Sequence, residues 1–204
     1  MRRRELLRLM STSWLTVFPW LIRSSEAHRD ELALQAVPGR QVVQIHPPTF
    51  TLTDQDEQPF SLQSWRGRVI VVTFGYTTCP DVCPLLAAHL AVIQQEIPAV
   101  DRSRTGLLFI TTDPSHDRPA VLQAYGTRLG ADFSTWKFLT GSIEDLTPVW
   151  RAFAVAVKTL GPGQVDHTAL TTIVDREGIR RVNYYGTRWH PQAVMRDMAA
   201  WAHD

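Results

Sequence analysis

A pair of closely spaced cysteines between an apolar segment and a helix is the feature that most constrains this chain. The segment Val69–Phe74 is apolar apart from one threonine, a pattern typical of a buried strand. Cys79 and Cys83 follow it and are the only two cysteines among 204 residues. A helix is predicted from about Pro84 to Glu96. Two thiols therefore lie where a buried strand leads into a helix N-terminus, a position that favours thiolate over thiol.

The composition narrows the classes of function. Two cysteines cannot form a disulfide scaffold, and a chain with 44% hydrophobic residues does not need one. The thiols are therefore expected to be reactive rather than structural. A net charge of +1 gives no basis for binding nucleic acid or an acidic substrate.

Alternating strand and helix patterns predict an α/β fold with a mixed sheet. The predicted strands are Val69–Phe74, Thr105–Thr111, Trp136–Leu139, Ala169–Val174 and Ile179–Tyr185. The predicted helices are Pro84–Glu96, Arg118–Leu129, Ser142–Phe153 and Pro191–Ala202. A small hairpin is predicted around the polar turn at residues 54–57, and residues 161–164 are predicted to be a loop.

The N-terminal region predicts a leader followed by a linker. Three arginines at positions 2–4 precede an apolar stretch at residues 14–22, which is the outline of an export signal or a membrane-surface anchor. The apolar stretch is shorter than the ~20 residues that span a bilayer. The alternatives are a disordered leader and a wrongly assigned start codon. We expect a leader over residues 1–23, a linker over 24–41 and a folded domain over 42–203.

The spacing of the cysteines leaves two kinds of chemistry open. The C-x-x-x-C pair is one residue longer than the C-x-x-C motif of thioredoxins, and positions i and i+4 share one face of a helix. A disulfide would need the two Cα atoms to approach within about 7 Å. Disulfide exchange and binding of a soft metal are both compatible with this spacing.

A metal held by two thiolates normally needs a third ligand, and the histidines are the candidates. They lie at positions 28, 46, 89, 116, 167, 190 and 203. His167 follows a glycine-containing loop and immediately precedes a predicted core strand. A histidine at such a position is more often a turn or capping residue, but the dithiol in the same chain makes His167 the strongest candidate. His116 is the second candidate, and His89 is expected to face away from the sulfurs. Two sulfurs and one imidazole suit copper, whereas structural zinc normally takes four protein ligands.

Three motifs in register resemble the SCO/SenC family of copper-handling proteins over residues 42–203. They are Cys79–Pro84, Thr112–Pro114 with Asp117–Pro119, and Val165–Thr168 leading into a strand that ends at Tyr185 and Gly186. The resemblance implies a thioredoxin-like, three-layer α/β fold with a mixed central sheet, flanking helices and an N-terminal hairpin. It also implies one copper ion, Cu(I) or Cu(II), bound by Cys79, Cys83 and His167.

The resemblance further implies a copper metallochaperone that serves assembly of the dinuclear copper centre of cytochrome c oxidase. Its partners would be the copper-receiving subunit of the oxidase and other copper carriers. The alternative is a thiol-disulfide oxidoreductase that keeps the target cysteines reduced, with Cys79 and Cys83 as its redox pair. The expected location is the bacterial periplasm, with inner-membrane association through the N-terminus. A peroxidase of the peroxiredoxin type is disfavoured because no arginine lies near the cysteines in sequence.

Three further residues near the motifs receive structural interpretations. Asp113 is interpreted as a turn residue before Pro114 rather than as a group that tunes the site. Tyr76 is expected to pack beside the cysteine loop and limit solvent. Asp81 is interpreted as an exposed carboxylate at the start of the helix.

Overall fold

The structure is a computed structural model, and it describes residues 37–47 and 49–202. The predicted leader at residues 1–23 and the predicted linker up to residue 36 lie outside the described residues, as do His28 and His203. Arg40 and Gln41, at the end of the predicted linker, already belong to the first strand.

Among the described residues, eight strands form one mixed sheet. They are β1 Arg40–Ile45, β2 Thr51–Asp54, β3 Pro59–Ser61, β4 Val69–Gly75, β5 Thr105–Thr111, β6 Trp136–Thr140, β9 Leu170–Val174 and β10 Arg180–Tyr185, and two further strands, β7 and β8, are described below. The order in the sheet is β1-β10-β9-β4-β5-β6-β2-β3. The central strands β4, β5 and β6 are parallel, and the other pairs are antiparallel. The predicted strands and the hairpin β2–β3 are confirmed, whereas the sequence did not predict β1.

Strands β4 and β5 are buried on both faces because helices cover the sheet on both sides. Every residue of both strands is buried, as the continuous apolar runs predict. The register pairs Val69 with Thr105 and Gly75 with Thr111, so the two strands end at the same edge of the sheet. The loops that follow them therefore start side by side.

In the part of the chain that the structure describes, four α-helices flank the sheet, in good agreement with the predicted helices. They are α1 Val82–Glu96, α2 Pro119–Arg128, α3 Ile143–Ala152 and α4 Pro191–Ala202. Alternate residues of β4, namely Ile70, Val72 and Phe74, belong to a cluster that contains the buried side chains of α3. Helices α1 and α4 pack against each other and also contact β4. The cross-section is therefore helix, sheet, helix.

A separate two-stranded hairpin carries His167 at its end. It consists of β7 Val157–Gly161 and β8 Gln164–His167. Gly163 has a φ of +66°, which the two-residue turn requires and which glycine adopts without strain. The predicted loop at residues 161–164 is therefore wrong in extent, because Gly161 and Gln164 are already paired strand residues.

Within the described part of the chain, no helix combines the length and the apolar character needed to cross a membrane. The predicted anchor is placed in the leader and stays a prediction.

Helix α3 begins with a capping box at Ser142. The Ser142 side chain accepts a hydrogen bond from the Asp145 amide, and the Asp145 side chain accepts one from the Ser142 amide. We expect Ser142→Ala to lower the free energy of unfolding by about 1 kcal/mol, because an amide at the helix start loses its partner. Urea denaturation followed by circular dichroism measures this.

Ser103→Ala is the matched control for this substitution. Ser103 is exposed, and no hydrogen bond of its hydroxyl is found among residues 37–47 and 49–202. Its substitution should change stability by less than about 0.5 kcal/mol. Equal effects of the two substitutions would contradict the role of the capping box.

Candidate metal centre

The two thiols lie at the junction of β4 and α1, as the sequence predicts. Cys79 is in the loop, and Cys83 is the second residue of the helix. Both are free and buried, with Cys79 8% exposed and Cys83 fully covered. Gly75 makes room for Cys83, because a methyl group at Gly75 would lie 3.2 Å from its sulfur and 3.1 Å from the Phe109 ring.

A hydrogen bond at the start of α1 connects the two cysteines. The Cys83 amide donates a hydrogen bond to the Cys79 sulfur at 3.4 Å. This bond uses one of the amides at the helix start that have no partner within the helix. The i, i+4 spacing thus lets the helix itself hold the first sulfur beside the second.

Burial has the opposite effect on Cys83 from the one expected at a helix N-terminus. Burial first, and then the hydrogen bond with Cys79, raise the pKa of the Cys83 thiol well above its ordinary value. The expectation of a thiolate at this position is therefore wrong for the metal-free protein. The raised pKa favours the neutral thiol of Cys83 at neutral pH.

His167, the last residue of β8, meets the dithiol. Its Nε2 lies 3.4 Å from the Cys83 sulfur, and its Nδ1 lies 3.1 Å from the carbonyl oxygen of Thr168. A carbonyl oxygen only accepts, so Nδ1 carries the proton and Nε2 offers its lone pair toward the sulfur. Burial lowers the pKa of His167, which favours this neutral form at pH 7.

Tyr76 closes the site on the side of the sheet, as the sequence predicts. It packs in one buried cluster with Cys79, Cys83 and Val165 of β8. Its hydroxyl accepts a hydrogen bond from the Val165 amide at 3.4 Å, and its ring lies edge-on to His167 at 6.0 Å. Tyr76 therefore holds the hairpin against the cysteine loop and restricts access of water to the sulfurs.

Asp117 supports the cysteine loop from behind, a role that the sequence did not predict. Its fully buried carboxylate accepts bonds from the Thr77 amide at 3.2 Å, the Thr77 hydroxyl at 2.5 Å and the Thr111 hydroxyl at 2.6 Å. Burial raises its pKa. Thr111 at the end of a predicted strand and Asp117 six residues later can be read from the sequence. Their contact with Thr77 cannot, because it depends on the pairing of β4 with β5.

The other candidate side chains have partners or surroundings of their own. Asp113 engages its own loop, where its carboxylate lies 2.8 Å from Nδ1 of His116. Among the described residues, no hydrogen bond joins His116 to either cysteine. The His89 ring is tilted against Trp189, with the ring centres 4.6 Å apart, and His46 and His190 are exposed. Asp81 is exposed and makes no side-chain bond that caps α1.

The three predicted ligands are neighbours, but they are not yet set as a coordination sphere. Among residues 37–47 and 49–202, no group of three or more His, Cys, Asp and Glu side chains has the arrangement of a metal site. A metal with bonds of about 2.3 Å to sulfur and about 2.0 Å to nitrogen separates those two atoms by about 3.5–3.8 Å. The 3.4 Å contact between Cys83 and His167 is close to that range, so small shifts and loss of the thiol protons would admit a metal ion.

Comparison with known proteins identifies relatives over most of the chain. The SCO1/SenC family model matches residues 39–203. A protein of Stutzerimonas stutzeri, named as a candidate copper-binding protein, is 32% identical over 183 residues, which is 88% of this chain and 85% of that protein.

Solved structures confirm the predicted thioredoxin-like fold. A SCO1/SenC family lipoprotein from Bacillus anthracis superposes with a TM-score of 0.73 at 29% identity, over 80% of this chain and 98% of that one. ScoI of Bradyrhizobium japonicum with copper bound gives a TM-score of 0.66 at 27% identity, over 76% of this chain and 99% of that one.

The burial of the two thiols predicts unequal reactivity in the reduced protein. At pH 8, iodoacetamide should modify Cys79 before Cys83, because Cys83 is fully covered and its pKa is raised. Peptide mass spectrometry at successive times measures the two rates. In denaturant the rates should converge, and faster modification of Cys83 in the folded protein would contradict the geometry.

Proposed function

The chain belongs to the SCO1/SenC family, and on this premise we propose that it is a copper metallochaperone. It binds one copper ion through Cys79, Cys83 and His167 and delivers it for assembly of the dinuclear copper centre of cytochrome c oxidase. The observation that carries the proposal is the 3.4 Å contact between the Cys83 sulfur and Nε2 of His167. The copper bound by the related ScoI of Bradyrhizobium japonicum supports it.

The donor set suits copper as a cargo. Two sulfurs and one imidazole are soft to intermediate donors, which favour Cu(I) and also accept Cu(II). Three protein ligands leave a position open, through which a ligand of the receiving protein can enter before the first bonds break. The hydrogen bond of Nδ1 to the Thr168 carbonyl keeps Nε2 available for the metal.

The placement of His167 suits release of the ion. The two cysteines belong to the junction of the central sheet and α1, whereas His167 ends a hairpin whose strands pair with each other. The hairpin can therefore shift without breaking the ladder of the main sheet. Movement of His167 away from the sulfurs would open the site to the copper-receiving subunit.

The second candidate function is thiol-disulfide exchange with the target cysteines. It is favoured by the two free thiols and by the hydrogen bond that the Cys79 sulfur accepts from the Cys83 amide. One thiolate would attack the target disulfide, and the second would resolve the mixed disulfide. The target gains two electrons and two protons, and the chain is left with a disulfide between Cys79 and Cys83. His167 is not needed for these steps.

We also propose a location and partners that follow from the function. Copper delivery to the oxidase requires a site outside the cytoplasm, so the folded domain, residues 42–203, is placed in the bacterial periplasm. The leader, residues 1–23, would export the domain or associate it with the inner membrane, and residues 24–41 would link the two. Fractionation of cells that express the full chain tests this, and recovery in the cytoplasm would contradict it.

The ligand set is tested by anaerobic titration of the reduced protein with Cu(I) against a competing chelator. Cys79→Ser and Cys83→Ser should nearly abolish binding, because one sulfur is lost. His167→Ala should weaken it at least about 10-fold, the loss that even a residue supporting a ligand can cause. It should also alter the visible absorption of the Cu(II) form.

His190→Ala is the matched control, because His190 is exposed at the start of α4. It should leave affinity and absorption unchanged. Tight binding by either cysteine variant would rule out this site. Weak binding that does not depend on His167 would favour the oxidoreductase.

Oxidation of the dithiol should block copper uptake, because a disulfide between Cys79 and Cys83 removes both thiolates. The protein oxidised with diamide and freed of reagent should bind no copper in the same titration, and reduction should restore one equivalent. Copper retained by a protein with no free thiols would contradict the use of shared sulfurs.

A further inference from the structure

Arg180 is a buried cation with an unusual set of partners. It is 1% exposed, and within the described residues no carboxylate lies at ion-pair distance from it. One terminal nitrogen donates to the carbonyl of Ala152 at 3.1 Å, and the other donates to the carbonyl of Phe153 at 3.4 Å and to the Asn183 side chain at 2.9 Å. The guanidinium also lies 4.8 Å from the centre of the Phe153 ring.

These contacts bind Arg180 to the end of α3. The last carbonyls of a helix lack partners within the helix and carry its partial negative charge, so they suit a buried cation. Two successive carbonyls receive the two arms of one planar guanidinium. The side chain from β10 therefore fixes both the position and the direction of the chain as it leaves α3.

The segment that leaves α3 leads directly to the hairpin. Ala154 adopts a left-handed φ of +57°, and the Val155 amide donates a hydrogen bond to the Trp150 carbonyl at 2.8 Å. The Ala156 amide then donates to the Thr168 hydroxyl at 3.1 Å, and the Thr168 amide donates to the Ala156 carbonyl at 3.0 Å. The base of the hairpin is thus joined next to the clamped helix end.

The same base holds the imidazole of His167. Val157, the first residue of β7, pairs with His167, and the Thr168 carbonyl accepts from Nδ1 of that ring. The path from Arg180 to Nε2 of His167 consists of the helix end, the paired residues Ala156 and Thr168, and the Nδ1 bond. Each step is a hydrogen bond or a short stretch of chain.

We propose that Arg180 is a positioning residue for copper binding, which holds His167 toward the two sulfurs by clamping the end of α3. The inference rests on the proposed function, in which His167 is a copper ligand. Arg180 touches neither the sulfurs nor the imidazole, and it acts only through the base of the hairpin.

Arg180→Lys tests the clamp, because an ammonium keeps the charge but cannot span two carbonyls in one plane. Cu(I) affinity should fall by up to about 10-fold, the lower end of the range for residues that support a metal ligand. The Cu(II) absorption should shift toward that of His167→Ala. In the His167→Ala background, Arg180→Lys should change neither quantity.

Arg181→Lys is the matched control on the same strand. Arg181 pairs with Asp175 and stacks on Trp201, so it does not hold α3. It should leave copper affinity and absorption unchanged even if it lowers stability. Thr168→Val is a second variant, which removes only the hydroxyl that accepts from Ala156 and should weaken copper binding in the same direction as Arg180→Lys.

A copper-free measurement separates failure of this inference from failure of the proposed function. In the apo protein, Arg180→Lys should speed amide exchange at Ala156 and Thr168 by about 10-fold, and leave exchange at Leu108 in β5 unchanged. Unchanged exchange and affinity would overturn the clamp, as would equal affinity losses with and without His167. If His167→Ala leaves copper binding intact while the exchange result holds, the ligand set fails and the clamp stands.

Discussion

The parallel pairing of β4 with β5 is the constraint on which the rest of the structure depends. The two strands keep one register over seven residue pairs, and both are fully buried. A slip of one residue would move every side chain of a strand to the opposite helix layer, so packing on both faces fixes the register. Because the strands are parallel, the loops after them leave the same edge. The cysteine loop therefore lies against the loop that contains Asp117, and the thiols need no other scaffold.

Burial at this edge of the sheet favours the uncharged forms of Cys83 and His167 in the metal-free protein. Cys83 remains a thiol because burial raises its pKa, and His167 remains neutral because burial lowers its pKa. Binding of a metal ion must release the thiol proton, so affinity should rise with pH. The cost of creating the thiolate also limits how tightly the ion is held. A carrier that gives up its cargo gains from such a limit, whereas a structural metal site would not.

The central layers could be predicted from the sequence, because Val69–Phe74 and Thr105–Thr111 are apolar runs bounded by clear turns. The residue types and their spacing also predicted Cys79, Cys83 and His167 as site residues, and these three lie close together in the structure. Strand β1 and the hairpin β7–β8 could not be predicted in the same way. Their side chains are mostly exposed, so they lack the alternation that a half-buried strand shows. The role of Asp117 and the neutral state of Cys83 depend on burial by distant segments, which no local pattern encodes.

The proposed site would divide its ligands between a fixed part and a part that can move. The sulfurs are held by the strand and the helix start, and the absence of a side chain at Gly75 leaves the space that the Cys83 sulfur occupies. The imidazole is held by a hairpin that contacts the rest of the described chain through the Tyr76 hydroxyl, the packing of Val157 and Val165, and the base beside α3. A ligand on such a support can be precise while the base is clamped and can still leave when a partner displaces the hairpin. Precision and release thus depend on different contacts, and Arg180 belongs to those that supply precision.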